Sequence, residues 1–302
     1  MGKVHYHLVT TYYKLMRKLR SAGVEPSPKQ LRASADGLAL LNPMQMGTNL
    51  SMTEFNGVPT GEVTYRNTTN KGIVLFIHGG GFAFGSVKTH RSSVAYLCRR
   101  TGMTGYIPEY RLAPEHQYPI PLDDCIAAYK GVLERHPDRP IHLFGDSAGG
   151  SLAAGMIHRM KREGIKMPDS LVLMSPWLDL RPDSESIVKN RDEDSLFDKD
   201  DLLHYAKFYL DEKDANEVDV SPLLGEVDYF PQTLIQVAEN ELLYFDSLRF
   251  AEKLKAAKVP FTLQVEEFLF HSWQLFPDYV PEARESLRKA EAFIEHGLVQ
   301  AP

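Results

Sequence analysis

Short apolar runs alternating with longer stretches of helical periodicity dominate the chain from about residue 72 onward. Runs at 72–77, 104–109, 141–144, 171–174, 233–237 and 261–265 have strand length and are nearly continuous in apolar side chains, the pattern of strands buried on both faces. Between them, 123–135, 148–162, 245–257 and 281–296 carry apolar residues at helical spacing. That alternation predicts an α/β fold, a mostly parallel sheet with helices on both faces. Residues 53–55 and 61–65 read as an added antiparallel edge. Two stretches break the rhythm: 1–45, and roughly 180–222, which Arg181-Pro182-Asp183 opens as an acidic, helix-rich insertion. Ligands of open α/β sheets bind beyond the carboxyl ends of the strands, so these stretches are expected to form a lid over the site. The plainer alternative for the insertion is a solvated surface excursion.

Composition narrows the class. Of the 302 residues, 43% are hydrophobic and 25% charged, as in ordinary globular proteins and unlike fibrous or disordered chains. A formal charge of −6 argues against a nucleic-acid groove, and the short basic cluster at 14–20, interleaved with Leu15, Met16 and Leu19, reads as a helix with one wet face. Cys98 and Cys125 are the two cysteines, too few for a disulfide framework or a cysteine-ligated zinc site, so a reducing, cytoplasmic compartment is expected. Residues 1–10 lack a basic segment followed by an apolar one, and Tyr6 stands where a myristoylation signal needs Ser or Thr. No apolar run approaches spanning length and no amphipathic segment of the lipid-seating kind is evident, so no stable membrane insertion is expected.

The chemistry concentrates at two glycine-rich turns. Gly145-Asp146-Ser147-Ala148-Gly149 follows the apolar run Ile141-His142-Leu143-Phe144 and precedes a helical stretch. A serine on such a strand-to-helix elbow sits in strained backbone angles, and a Cβ at either flanking glycine would strike the neighbouring strand or helix. After the strand at 72–77 comes His78-Gly79-Gly80-Gly81-Phe82, whose backbone N–H groups can turn toward a developing oxyanion. Gly80, Gly81 and Ala148, the residue after the nucleophile, are the expected donors.

A serine hydroxyl needs an imidazole to take its proton. Of 11 histidines, chain order points to His271, in a loop after the last strands. His296 lies in a terminal helix, while His78 and His116 suit loop hydrogen bonds better. The orienting carboxylate should follow the penultimate strand. Glu241, near the tip of that turn, is preferred; Asp246, expected in the first turn of the next helix, and Glu239 remain alternatives. Asp146 reads as a carboxylate that pins the elbow by receiving loop hydrogen bonds, not as a reactant. No repeat or low-complexity tract interrupts the chain.

These blocks resemble the hormone-sensitive-lipase-like branch of the α/β-hydrolases, the family IV bacterial esterases. His78-Gly79-Gly80-Gly81-Phe82 is similar to its HGGG signature, Tyr110-Arg111-Leu112-Ala113-Pro114-Glu115-His116 with Asp123-Asp124 to its YRLAPE segment, and Gly145 through Gly150 to its GDSAGG elbow. The resemblance implies an eight-stranded α/β-hydrolase sheet over 46–179 and 223–302, and a mobile helical cap from 1–45 and 180–222. It implies no metal or organic cofactor, and carboxylic ester hydrolysis through Ser147, His271 and Glu241, with a small-molecule ester as partner. Amide or lactone hydrolysis, or non-catalytic ligand binding as in the related plant gibberellin receptors, are the alternatives; the receptors lack the histidine that this chain keeps as His271. Homodimer formation through an edge strand is left open, since charge routinely blocks such edges. Two departures stand out: Glu241-Leu242-Leu243 replaces the frequent Asp-Pro-Leu, and Ser272-Trp273 replaces Gly-Phe, a change expected to narrow the alcohol side.

Overall fold

The computed structural model of the chain describes residues 27–69, 71–181, 194 and 197–298. The basic segment 14–20 and the opening of the insertion at 182–193 lie outside the described residues. Eight strands form one sheet: β1 (Thr48–Phe55), β2 (Val58–Tyr65), β3 (Ile73–Ile77), β4 (Thr104–Pro108), β5 (Ile141–Asp146), β6 (Ser170–Met174), β7 (Gln232–Ala238) and β8 (Phe261–Glu266). Their spatial order is β1-β2-β4-β3-β5-β6-β7-β8. β1 pairs antiparallel with β2 and β2 with β4; all other neighbours are parallel.

The two faces follow from the period of two along each strand. Ile73, Leu75 and Ile77 of β3 pack into one core with side chains of α3 (Ile120–Arg135), α4 (Ala148–Glu163) and α6 (Tyr244–Ala256). Val74 and Phe76 turn to the other face, against α2 (Val87–Thr101) and α7 (Pro281–His296). Every residue of β3 to β6 is buried, which is why those strands read as continuous apolar runs. β1 begins at Thr48, five residues ahead of the edge expected at Thr53. Its alternating positions, one of them buried, give little hydrophobic signal. Helix α2, opened by a capping box between Ser86 and Thr89, covers a face where no helical run stood out, because Lys88, Thr89 and Arg91 dilute its apolar stripe.

β3 pairs with β4 on one side and β5 on the other, so the chain reverses its direction of winding there. The crevice beyond the carboxyl ends of β3 and β5 is the ligand position in such sheets. Two further helices approach it, α1 (Pro28–Ala39) and α5 (Lys199–Leu210). Among the described residues no helix is long and apolar enough to cross a membrane.

Candidate active site

Ser147 stands between the end of β5 and the first turn of α4 with φ 53° and ψ −125°, a conformation side chains rarely adopt and one that raises its Cβ above both elements. The flanking glycines are a steric requirement. A Cβ on Gly145 would collide with the carbonyl of Gly149, and one on Gly149 with the carbonyl of Ile77 and, at 2.6 Å, with that of His78. The Ser147 N–H donates to the Met174 carbonyl at 3.0 Å, and its own carbonyl accepts from Gly150 at 2.9 Å and Trp177 at 3.1 Å.

The glycine loop after β3 runs beside this elbow. Gly80 and Gly81 both have positive φ, 112° and 56°. A Cβ on Gly81 would lie 2.7 Å from the Tyr205 ring of α5, so side-chain-free backbone is what fits under that aromatic cover. Among the described residues the N–H groups of Gly80, Gly81 and Ala148 donate to no other group, and of the three Gly80 lines the cavity that holds Ser147 while Gly81 and Ala148 stand behind it. His78 is buried, stacks on Tyr110 with centroids 4.1 Å apart, and contacts the Gly79 carbonyl through Nδ1 at 2.9 Å. Burial, then the charge of His90, lowers its pKa to about 3, so it is neutral at ordinary pH and serves the loop as part of the packing.

His271 lies on the loop after β8 and Glu241 on the turn after β7. Its Nδ1 meets Glu241 Oε2 at 2.6 Å, and Glu241 Oε1 accepts the Ala238 N–H at 2.7 Å. Burial by itself would lower the imidazole pKa; the hydrogen bond and charge of Glu241, then Asp194 and Asp146, reverse this and raise it above 6.5. The other ring nitrogen, Nε2, is buried and makes no hydrogen bond among the described residues. Ser147 and His271 line one cavity, walled by Ala35 and Leu38 of α1, by Phe197, and by Leu275 and Phe276.

The alternatives of the sequence fall elsewhere. Asp246, in the first turn of α6, accepts the N–H groups of Leu178 at 3.0 Å and Asp179 at 3.1 Å. Glu239 is exposed, as is His296, and His116 is half-buried on the loop ahead of α3. Trp273 does not line the cavity: it is fully buried and donates from its indole nitrogen to Ser286 at 3.2 Å, so of the Ser272-Trp273 pair only Ser272 faces the cavity. Asp146 pins the elbow as its flank position suggests, accepting the Gly79 N–H at 2.8 Å.

Several contributors carry no sequence signal. His90 of α2 pairs with Asp146 at 3.0 Å, both side chains buried. Asp194 accepts the Leu242 N–H at 2.8 Å and the Phe197 N–H at 3.0 Å, and the Phe197 ring meets His271 edge-on with centroids 5.2 Å apart. α1 is fastened over the glycine loop by Arg32, which donates to the carbonyls of Ala83 at 2.8 Å and Ala113 at 2.9 Å and pairs with Glu115 at 2.6 Å.

A serine on a strained strand-to-helix elbow beside a glycine loop on a doubly wound sheet is the arrangement of an α/β hydrolase. The family model for the alpha/beta hydrolase fold matches residues 74–275. An esterase of Acinetobacter venetianus is 34% identical over 88% of this chain and 88% of its own length; an acetyl-hydrolase of Streptomyces hygroscopicus is 31% identical over 79% and 83%. A crystal structure of a hormone-sensitive lipase from a metagenome library superposes with a TM-score of 0.87 at 30% identity, covering 94% of this chain and 97% of that one. The chain belongs to the α/β-hydrolase fold family, in its hormone-sensitive-lipase-like branch.

Proposed function

We propose that the protein is a serine carboxylesterase acting on esters with short to medium acyl chains, through Ser147, His271 and Glu241 and an acyl-enzyme intermediate. The observation that carries this reading is the His271 imidazole, held by Glu241 at 2.6 Å with its other nitrogen unpartnered, in the cavity that Ser147 lines. Esterase and acetyl-hydrolase relatives support the ester bond as the target.

Ser147 Oγ attacks the ester carbonyl carbon while His271 Nε2 takes its proton; Glu241 holds the tautomer and offsets the imidazolium charge. The N–H groups of Gly80, Gly81 and Ala148 receive the oxyanion, which makes charge stabilisation strongest in the transition state. The imidazolium then protonates the leaving alkoxide, the alcohol departs, and a water activated by the same imidazole releases the acid from Ser147. Chain length is limited by α1, whose Ala35, Leu38 and Ala39 close one wall of the cavity. In this reading 46–179 and 223–302 are the catalytic core, and 1–45 with 180–222 the cap that shapes the acyl pocket.

A series of p-nitrophenyl esters from acetate to palmitate, with an anilide and a lactone beside them, tests the proposal. Turnover peaking at short to medium acyl chains and vanishing in Ser147→Ala is expected. Equal turnover by both proteins removes the assignment; preference for the anilide or lactone redirects it to another bond.

A further inference from the structure

One buried carboxylate ties together the glycine loop, the Ser147 elbow and the His271 loop. Asp146 Oδ1 accepts the Gly79 N–H of the oxyanion loop at 2.8 Å and faces His90 Nε2 of α2 at 3.0 Å, while its own backbone leads directly into Ser147. Its second oxygen, Oδ2, accepts the hydroxyl of Ser272 at 3.1 Å. Ser272 is the residue after His271. It occupies the left-handed region, φ 54° and ψ 37°, where glycine is at ease and a side chain is not. Its N–H donates to Ser175 Oγ at 3.1 Å.

A strained serine at a site suited to glycine points to a hydroxyl with a purpose. The partner narrows that purpose. Asp146 is tied to the oxyanion loop and the nucleophile elbow, so a bond from Ser272 fixes the His271 loop to the same frame. At 3.1 Å the bond is longer than the usual hydroxyl–carboxylate contact, so what it supplies is placement of the loop, and a displacement of about 1 Å at a reacting group costs roughly 100-fold in rate.

We propose that Ser272 is a positioning residue: its hydroxyl, anchored on the Asp146–His90 pair, holds the His271 imidazole in register with Ser147. This rests on the ester-hydrolase reading above. Ser272 lines the cavity, so a direct substrate contact is the competing role, and kinetics separates the two. Positioning alters kcat; a substrate contact made equally in ground and transition states alters KM.

Ser272→Gly and Ser272→Ala distinguish a bond from a fold effect. Both remove the hydroxyl, but glycine relieves the left-handed strain and alanine keeps it. The expected result is a similar fall in kcat for both, roughly 10-fold to 100-fold, with KM within about twofold. The melting temperature is expected to stay level or rise for Ser272→Gly and to drop for Ser272→Ala. In an Asp146→Asn background the further loss from Ser272→Gly should shrink to less than about twofold, because the anchor is already altered. Wild-type kcat in Ser272→Gly, a rise confined to KM, or the full Ser272→Gly loss persisting on top of Asp146→Asn would each overturn the proposal. Ser147→Ala run in parallel keeps the two failures apart. Retained turnover there removes the ester-hydrolase site itself, whereas abolished turnover beside a fully active Ser272→Gly removes only the positioning role.

Discussion

The Ser147 elbow and the His271 loop face each other across one cavity and are built on different principles. The elbow is fixed by exclusion: backbone packs so closely at Gly145 and Gly149 that no Cβ fits, and the serine has one place to go. The His271 loop is fixed by attachment. Glu241 holds the imidazole, Asp194 holds Leu242 beside Glu241, Ser272 bonds Asp146, and Phe197 covers the ring edge. Exclusion writes itself into adjacent residues, whereas attachment draws on partners far apart in the chain.

The largest effect expected from breaking either side is loss of the proposed nucleophile. Ser147→Ala should lower kcat on the order of 10⁶-fold with little change in melting temperature, since the small side chain keeps the elbow; steady-state kinetics and calorimetry check both halves. On the attached side, Glu241→Gln should lose about 10⁴-fold in kcat, because the amide places a donor against Nδ1 and favours the wrong tautomer. The pH profile sharpens this further. Glu241 reverses the effect of burial and raises the His271 pKa above 6.5, and the base must be neutral, so kcat/KM of the wild type should fall as pH drops through a value above 6.5. Removing the Glu241 charge leaves burial dominant, so the acid limb of Glu241→Gln should move to lower pH.

Asp246→Asn tests the alternative acid. It should destabilise the fold by about 1–3 kcal/mol through the loop at Leu178 and Asp179, seen in denaturant titration, while kcat per folded molecule stays within about threefold. Phe268, 82% exposed on the approach to His271, marks the smallest effect: Phe268→Ser should change stability by no more than about 0.5 kcal/mol.

The same contrast explains what the sequence disclosed. The strands β3 to β8 were legible to within one or two residues, β3 to β6 because they are buried throughout and β8 because apolar and polar residues alternate along it, and both glycine turns were legible because their constraint is local. Glu241 was preferred over Asp246 from its place on the turn, but both acids stood open in the sequence, and the path of the chain puts Glu241 against the imidazole and Asp246 against Leu178 and Asp179. His90, Asp194 and the hydroxyl of Ser272 were illegible for a related reason. Their partners lie 56, 48 and 126 residues away, and nothing in their immediate neighbours marks them. α2 sits between these extremes, its capping box readable and its stripe diluted.

Labelling with a fluorophosphonate followed by peptide mapping tests the central claim most directly, because the reagent needs a serine activated by its imidazole. The account predicts a single adduct on Ser147 in the wild type and near-total loss of labelling in His271→Ala. An adduct on another residue, or undiminished labelling of Ser147 without His271, would contradict it.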